Sequence, residues 1–209
     1  PDYPLVRVKY ALLIALLPVV AAVGWLQLRY FLNLRADVIT SCCGSLFSND
    51  SQTLASEASG MEAKPAILLF YGALGFAIFA NALHAGLKQR WTGAFAALAS
   101  VAGFIAAMIG ILSFISLYVY EHPHHHCPFC LLKPEYGYQG YLLYLPLFAA
   151  TAAGIGAGIL QPFVHRSSLA VPATTTAARL AAYAAIGFGI FAAIATAMVL
   201  RSNLILLGG

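Results

Sequence analysis

Residues 94–120 read AFAALASVAGFIAAMIGILSFISLYVY, and residues 121–130 follow at once as EHPHHHCPFC. The first stretch carries no charged side chain from Ala94 to Tyr120 and decides the fold class. A hydrocarbon core of about 30 Å takes roughly 20 helical residues at 1.5 Å each, and an uncharged run of this length is long enough to cross it. The second stretch places four histidines and a CxxC pair at the edge of that span, and it raises the question of chemistry.

Outward from this segment the chain repeats the same pattern. Hydrophobic residues make up 61% of it and charged residues 9%, with a mean hydropathy of +0.83. A soluble domain carries about a quarter charged residues, so that class is excluded. Apolar segments near 9–31, 65–87, 94–120, 142–164 and 180–200 are each long enough to span a bilayer. In lipid the backbone must satisfy its own hydrogen bonds, and no ten-residue alternation points to a barrel, so the segments are helices. The expected fold is all-α, a polytopic integral membrane bundle of five transmembrane helices forming a single membrane domain over 1–209. The connection at 171–178, rich in Thr, Ala and Pro, reads as an interhelical loop. Gly154, Gly158, Gly187 and Gly189, with alanines around them, read as close-packing positions of the small-xxx-small type.

Boundary charges suggest an orientation. Arg7, Lys9, Lys88, Arg90, Arg166 and Arg179 fall on one side, and Arg29, Arg35, Lys64, Lys133 and Arg201 on the other. The positive-inside rule puts the first six in the cytoplasm, with the N-terminus inside and loops 32–64 and 121–141 outside, as in a bacterial inner membrane. The first span is too long for a cleavable signal peptide and lacks a small-residue cleavage pattern. The implied surroundings are a lipid bilayer. The pI of about 9.0 comes from scattered boundary cations rather than a basic face, so no nucleic acid is expected.

Both outer loops carry sulfur. The first holds the adjacent Cys42 and Cys43, and the second holds Cys127 and Cys130 within the His-rich stretch. CxxC spacing brings two sulfurs within reach of one disulfide or one metal ion. Pro128 removes a backbone donor and stiffens the turn, and His126, when protonated, would favour a thiolate at Cys127. Thiol exchange is therefore one reading, with Cys127 the more exposed nucleophile and Cys130 the resolving thiol. Zinc or copper is a second, with Cys127, Cys130 and two of His122, His124, His125 and His126 filling a tetrahedral shell. Static cross-links are a third, because adjacent cysteines bond each other only through a strained eight-membered ring, so Cys42 and Cys43 would look to the second loop for partners.

The order of parts is similar to that of the vitamin K epoxide reductase and DsbB-like membrane thiol oxidoreductases. A helix is followed by a loop with cysteines (Ser41-Cys42-Cys43-Gly44-Ser45-Leu46-Phe47-Ser48), two helices joined by a short basic turn, and a CxxC beside the fourth helix. The resemblance covers roughly residues 9–164. It implies a bundle holding a quinone against Cys127 and Cys130, with Cys42 or Cys43 shuttling electrons from an extracytoplasmic redox protein. Phe129, Tyr138 and Tyr141 are the rings expected beside that quinone. Here the eleven residues Leu131 to Tyr141 between the CxxC and the fourth helix suggest a pair lying above the membrane. The metal reading leads to a different protein, a membrane subunit that handles metal or anchors a partner within a larger complex.

Polar residues within spans require separate readings. Asn81, His84 and Lys88 share a face of the second helix, and Gln161 and His165 share one on the fourth. A b-type haem between His84 and His165 is conceivable, but a lone histidine at a helix end is more often an interfacial, hydrogen-bonded residue. A quinone or proton path at that end is a further option. Tyr118, Tyr120, Tyr136, Tyr138, Tyr141 and Tyr144 read first as an interfacial aromatic belt.

Overall fold

The computed structural model describes residues 6–33, 61–122, 126–165 and 168–204. Cys42, Cys43, His124 and His125 lie outside the described residues. Among the described residues there is no strand, and five helices are long and apolar enough to cross a membrane. The chain is an all-α integral membrane protein.

It divides into two compact units, Pro1–Ser41 and Cys42–Gly209. The first contains α1 (Val6–Leu32), a 27-residue helix carrying Pro18 in its interior. The second contains α2 (Ala63–Leu87), the helical rod α3 (Arg90–Tyr120), α4 (Gln139–Ile159) and α5 (Ala170–Arg201). Within it α2 packs on α3 and α5, and α4 packs on the same two, which makes a four-helix ring in the order α2, α3, α4, α5.

Phe70, Leu74, Ile111, Phe114, Leu147, Phe188 and Phe191 fill the centre of that ring. The Phe70 ring meets Phe114 edge-on at 5.4 Å, the arrangement that ring quadrupoles favour. Hydrophobicity alone cannot drive helices together in lipid, so close backbone approach and dispersion contribute more. Gly154 and Gly158 on α4 supply that approach: a methyl at Gly154 would overlap Ser100 on α3, and one at Gly158 would overlap Ala97. Gly187 likewise lies against Ala150, whereas a methyl at Gly189 would meet nothing within 4 Å among the described residues.

All five helices start upstream of the sequence expectation, the first four by two to four residues and the fifth by ten. The fifth helix begins at Ala170 rather than near 180, so 171–178 is helix and not loop. Pro172 falls in the first turn, where a missing amide proton leaves nothing unpaired. Ala173, Ala177, Ala181 and Ala184 then form a buried stripe at four- and three-residue spacing. At 1.5 Å per residue these 32 residues reach about 48 Å, more than a bilayer core requires. The fourth helix begins at Gln139 rather than near 142, after a left-handed pair at Gly137 (φ 61°) and Tyr138 (φ 56°).

The rod α3 changes pitch on its way out. Residues Ile111–Ile115 form a π-helical turn, all five buried, with the Ser116 amide bonded to the Ile111 carbonyl. A π-turn widens the ladder, and such turns concentrate at functional sites. The rod ends at Tyr120. Glu121 takes a left-handed conformation (φ 51°), and the His122 amide returns to the Leu117 carbonyl at 3.3 Å.

Candidate functional site

The CxxC turn is seated on the end of the bundle. Cys127 is 3% exposed, Cys130 4% and Leu131 fully buried. This overturns the expectation of Cys127 as the more exposed of the two, since the bundle end encloses both residues alike. The eleven residues after Cys130 do not lift the turn away, because they fold into two short 3₁₀ turns, Cys130–Leu132 and Pro134–Tyr136, that bring the chain straight back to α4. Gly140 in the first turn of α4 admits the Leu131 carbonyl, which a methyl there would meet at 3.0 Å.

Three side chains hold the backbone of this turn. Tyr120, at the end of α3, donates its hydroxyl to the Cys127 carbonyl at 2.5 Å. Tyr144, on α4, donates to the Pro128 carbonyl at 2.8 Å. His126 Nδ1 lies 2.9 Å from the Leu112 carbonyl within the π-turn. A carbonyl only accepts, so Nδ1 carries the proton. One ring nitrogen of His126 is thus committed to helix α3. The Tyr120 ring also lies on Tyr136, centroids 4.4 Å apart. Reading these tyrosines as a belt missed the role of two of them. The signal was their placement near the two helix ends that flank the CxxC loop.

Cys127 and Cys130 are not joined in a disulfide. Against their turn lies an apolar groove of about 350 Å³, lined by Met108, Pro128, Phe129, Tyr141, Tyr144 and Phe148 among others. Its volume falls at the lower end of the range typical of small-molecule sites, and half of its lining residues are aromatic. Of the three rings expected beside a cofactor, Phe129 and Tyr141 line this groove. Tyr138 does not, but its ring stands 6.2 Å from that of Tyr141.

The metal reading has less of its donor set in view. Among the described residues no group of three or more His, Cys, Asp and Glu is placed to hold an ion. His122 lies just past the end of α3, exposed, while His124 and His125 lie outside the described residues.

The opposite end of the bundle holds a separate polar cluster. His84 is buried, with Nδ1 2.9 Å from Thr92 Oγ1 and Nε2 3.2 Å from Gln161 Nε2. Thr92 gives its own proton to the Gln89 carbonyl, so its oxygen accepts from His84 Nδ1–H, and the Gln161 amide donates to Nε2. Both ring nitrogens are engaged, and a haem iron at His84 would have to displace Gln161. Nothing is described of the His165 side chain. Asn81 belongs to a different contact, donating to the Ala77 carbonyl and to Ser100 Oγ at 2.8 and 2.9 Å. Lys88 is exposed and closes α2 in a left-handed conformation (φ 55°).

Compared with family models, curated proteins and solved structures, the chain matches none.

Proposed function

We propose that the protein is a membrane thiol oxidoreductase that passes electrons from an extracytoplasmic dithiol protein to the quinone pool. The observation that carries this reading is the apolar, aromatic groove whose wall includes Pro128 and Phe129, the two residues between Cys127 and Cys130. A quinone ring and its prenyl tail have the flatness and apolarity such a groove accepts. As the Cys127–Cys130 disulfide forms, the two thiols release two electrons and two protons, and a quinone in the groove takes up both and leaves as quinol. Thiolate exchange then returns the pair to thiols while the donor dithiol becomes a disulfide.

Burial of both sulfurs supports a relay between pair and partner. A folded protein cannot approach a cysteine that is 3% exposed, so Cys42 or Cys43 receives the partner's electrons. The same burial suits the quinone half of the reaction, which requires an apolar surface rather than water. The cysteine end then faces the extracytoplasmic side of a bacterial inner membrane, an orientation that the boundary cations favour by six to five.

The test is thiol trapping in native membranes with a maleimide of known mass. Oxidation of Cys127 and Cys130 should follow the redox state of added quinone and disappear in Cys127→Ser and Cys130→Ser, while surviving His122→Ala. A disulfide indifferent to quinone would make the pair a static cross-link. Thiols blocked until a chelator is added would make it a zinc or copper site.

A further inference from the structure

A second pocket opens at the cysteine end, on the side of α3 that faces α5, and the quinone reading makes no use of it. Its volume is about 450 Å³, and Glu121, Gln139, Leu142, Ile194, Met198 and Arg201 are among its lining residues. Three helix ends meet around it: the C-termini of α3 and α5, at Tyr120 and Arg201, and the N-terminus of α4, at Gln139. Charges of opposite sign stand on its rim, Glu121 and Arg201, above an apolar floor.

Glu121 is held in place. Its Oε1 accepts from the backbone amide of Asn203 at 3.1 Å and from Asn203 Nδ2 at 3.2 Å, which ties the chain leaving α5 to the end of α3. Both bonds go to one carboxylate oxygen, and Oε2 retains its acceptor capacity. The carboxylate and the two helix C-termini favour a cation with N–H groups to donate. Arg201 and the first amides of α4 favour an anionic oxygen cluster beside it. An apolar body then lies along Leu142, Ile194 and Met198.

We propose that this pocket binds a phospholipid whose headgroup is a phosphate linked to a primary ammonium, the ethanolamine class. The phosphate lies toward Arg201 and Gln139, the ammonium toward Glu121 Oε2, and an acyl chain along the α5 side of the floor. A choline lipid has the same charges but no N–H to give Glu121, and a glycerol lipid has no cation at all. The specificity therefore resides in Glu121, and the affinity common to all phospholipids in Arg201.

Native mass spectrometry of the full chain, titrated separately with dioleoyl phosphatidylethanolamine, phosphatidylcholine and phosphatidylglycerol, tests this. The wild type should bind the ethanolamine lipid about fivefold more tightly than the other two, the scale of one charge-assisted hydrogen bond at a partly wet site. Glu121→Gln keeps an oxygen for Asn203, so the bundle end stays tied, but it should remove the preference. Arg201→Gln should weaken all three lipids. Equal binding of the three by wild type, or tighter binding of the glycerol lipid, would overturn the assignment. Should Glu121→Gln not fold, the wild type titrated with mono-, di- and trimethylated ethanolamine lipids decides it: affinity should hold while one N–H remains and drop with the last methyl, and a flat series rejects the role of Glu121.

Discussion

Tyr144 on α4 donates its hydroxyl to the carbonyl of Pro128, 2.8 Å away and inside the CxxC turn, so the ring that walls the groove also fixes the backbone between the two sulfurs. Tyr144→Phe keeps the wall and removes only the bond. A buried carbonyl then loses its donor, which costs about 1 kcal/mol, and thermal unfolding in detergent should fall by about 2–4 °C. Quinone-dependent oxidation of the pair should slow while quinone binding holds, because groove shape is unchanged. Tyr120→Phe should behave in the same way through Cys127. If both variants oxidise at the wild-type rate, the tyrosines hold the loop without positioning its chemistry.

His84 on α2 and Gln161, in the 3₁₀ turn just past α4, meet across 77 positions of sequence. His84→Leu leaves the Gln161 amide one acceptor short in a buried site, with Thr92 losing its donor as well. The expected loss is about 2 kcal/mol, read as a lower midpoint of thermal unfolding. Oxidation kinetics at the opposite end should be unaffected once the protein is folded. A large kinetic effect with an unchanged midpoint would instead favour a proton or quinone path through His84.

Much of this was legible in the sequence for a specific reason. A span is recorded residue by residue in its apolarity, so five helices could be placed from composition, and Ala94–Tyr120 could be read at sight. The start of α5 was hidden because Thr, Ala and Pro in 171–178 are loop-like only when their burial is unknown; the Ala173–Ala177–Ala181 stripe gains its meaning from α4 beside it. The π-turn at Ile111–Ile115 has no signature in single residues, so the His126–Leu112 contact could not be anticipated. Burial of Cys127 and Cys130 depends on the left-handed pair Gly137–Tyr138 turning the chain back, and nothing marks a tyrosine in advance for φ above zero.

Packing of α3 on α4 depends on an absent side chain. Gly154→Ala would drive a methyl into Ser100 Oγ and against Asn81 Oδ1, a buried acceptor with no hydrogen-bond partner among the described residues. Overpacking of this kind costs about 1–3 kcal/mol. Ser100→Ala alone removes the acceptor for Asn81 Nδ2 and should cost about 1 kcal/mol. The double variant should be more stable than Gly154→Ala by itself, because the overlap with Oγ is gone and only the carbon at position 100, 2.7 Å from the added methyl, must still give way. Additive losses in a thermal double-mutant cycle would show that the two helices do not meet at this point.

Tyr138 sets backbone strain against ring placement. A bulky residue held at φ 56° is disfavoured by roughly 1–2 kcal/mol relative to glycine, and Tyr138→Gly should raise the unfolding midpoint by about 2–4 °C. The ring so removed is the neighbour of Tyr141, which lines the groove. With that support gone, Tyr141 samples more orientations, and the KM for a short-chain quinone should rise while kcat holds, because the sulfurs and their three backbone anchors are untouched. Tyr141→Ala should raise KM further, since it deletes the wall itself. A Tyr138→Gly protein that is more stable and has an unaltered KM would restrict the strained tyrosine to the interface with lipid headgroups, outside the quinone site.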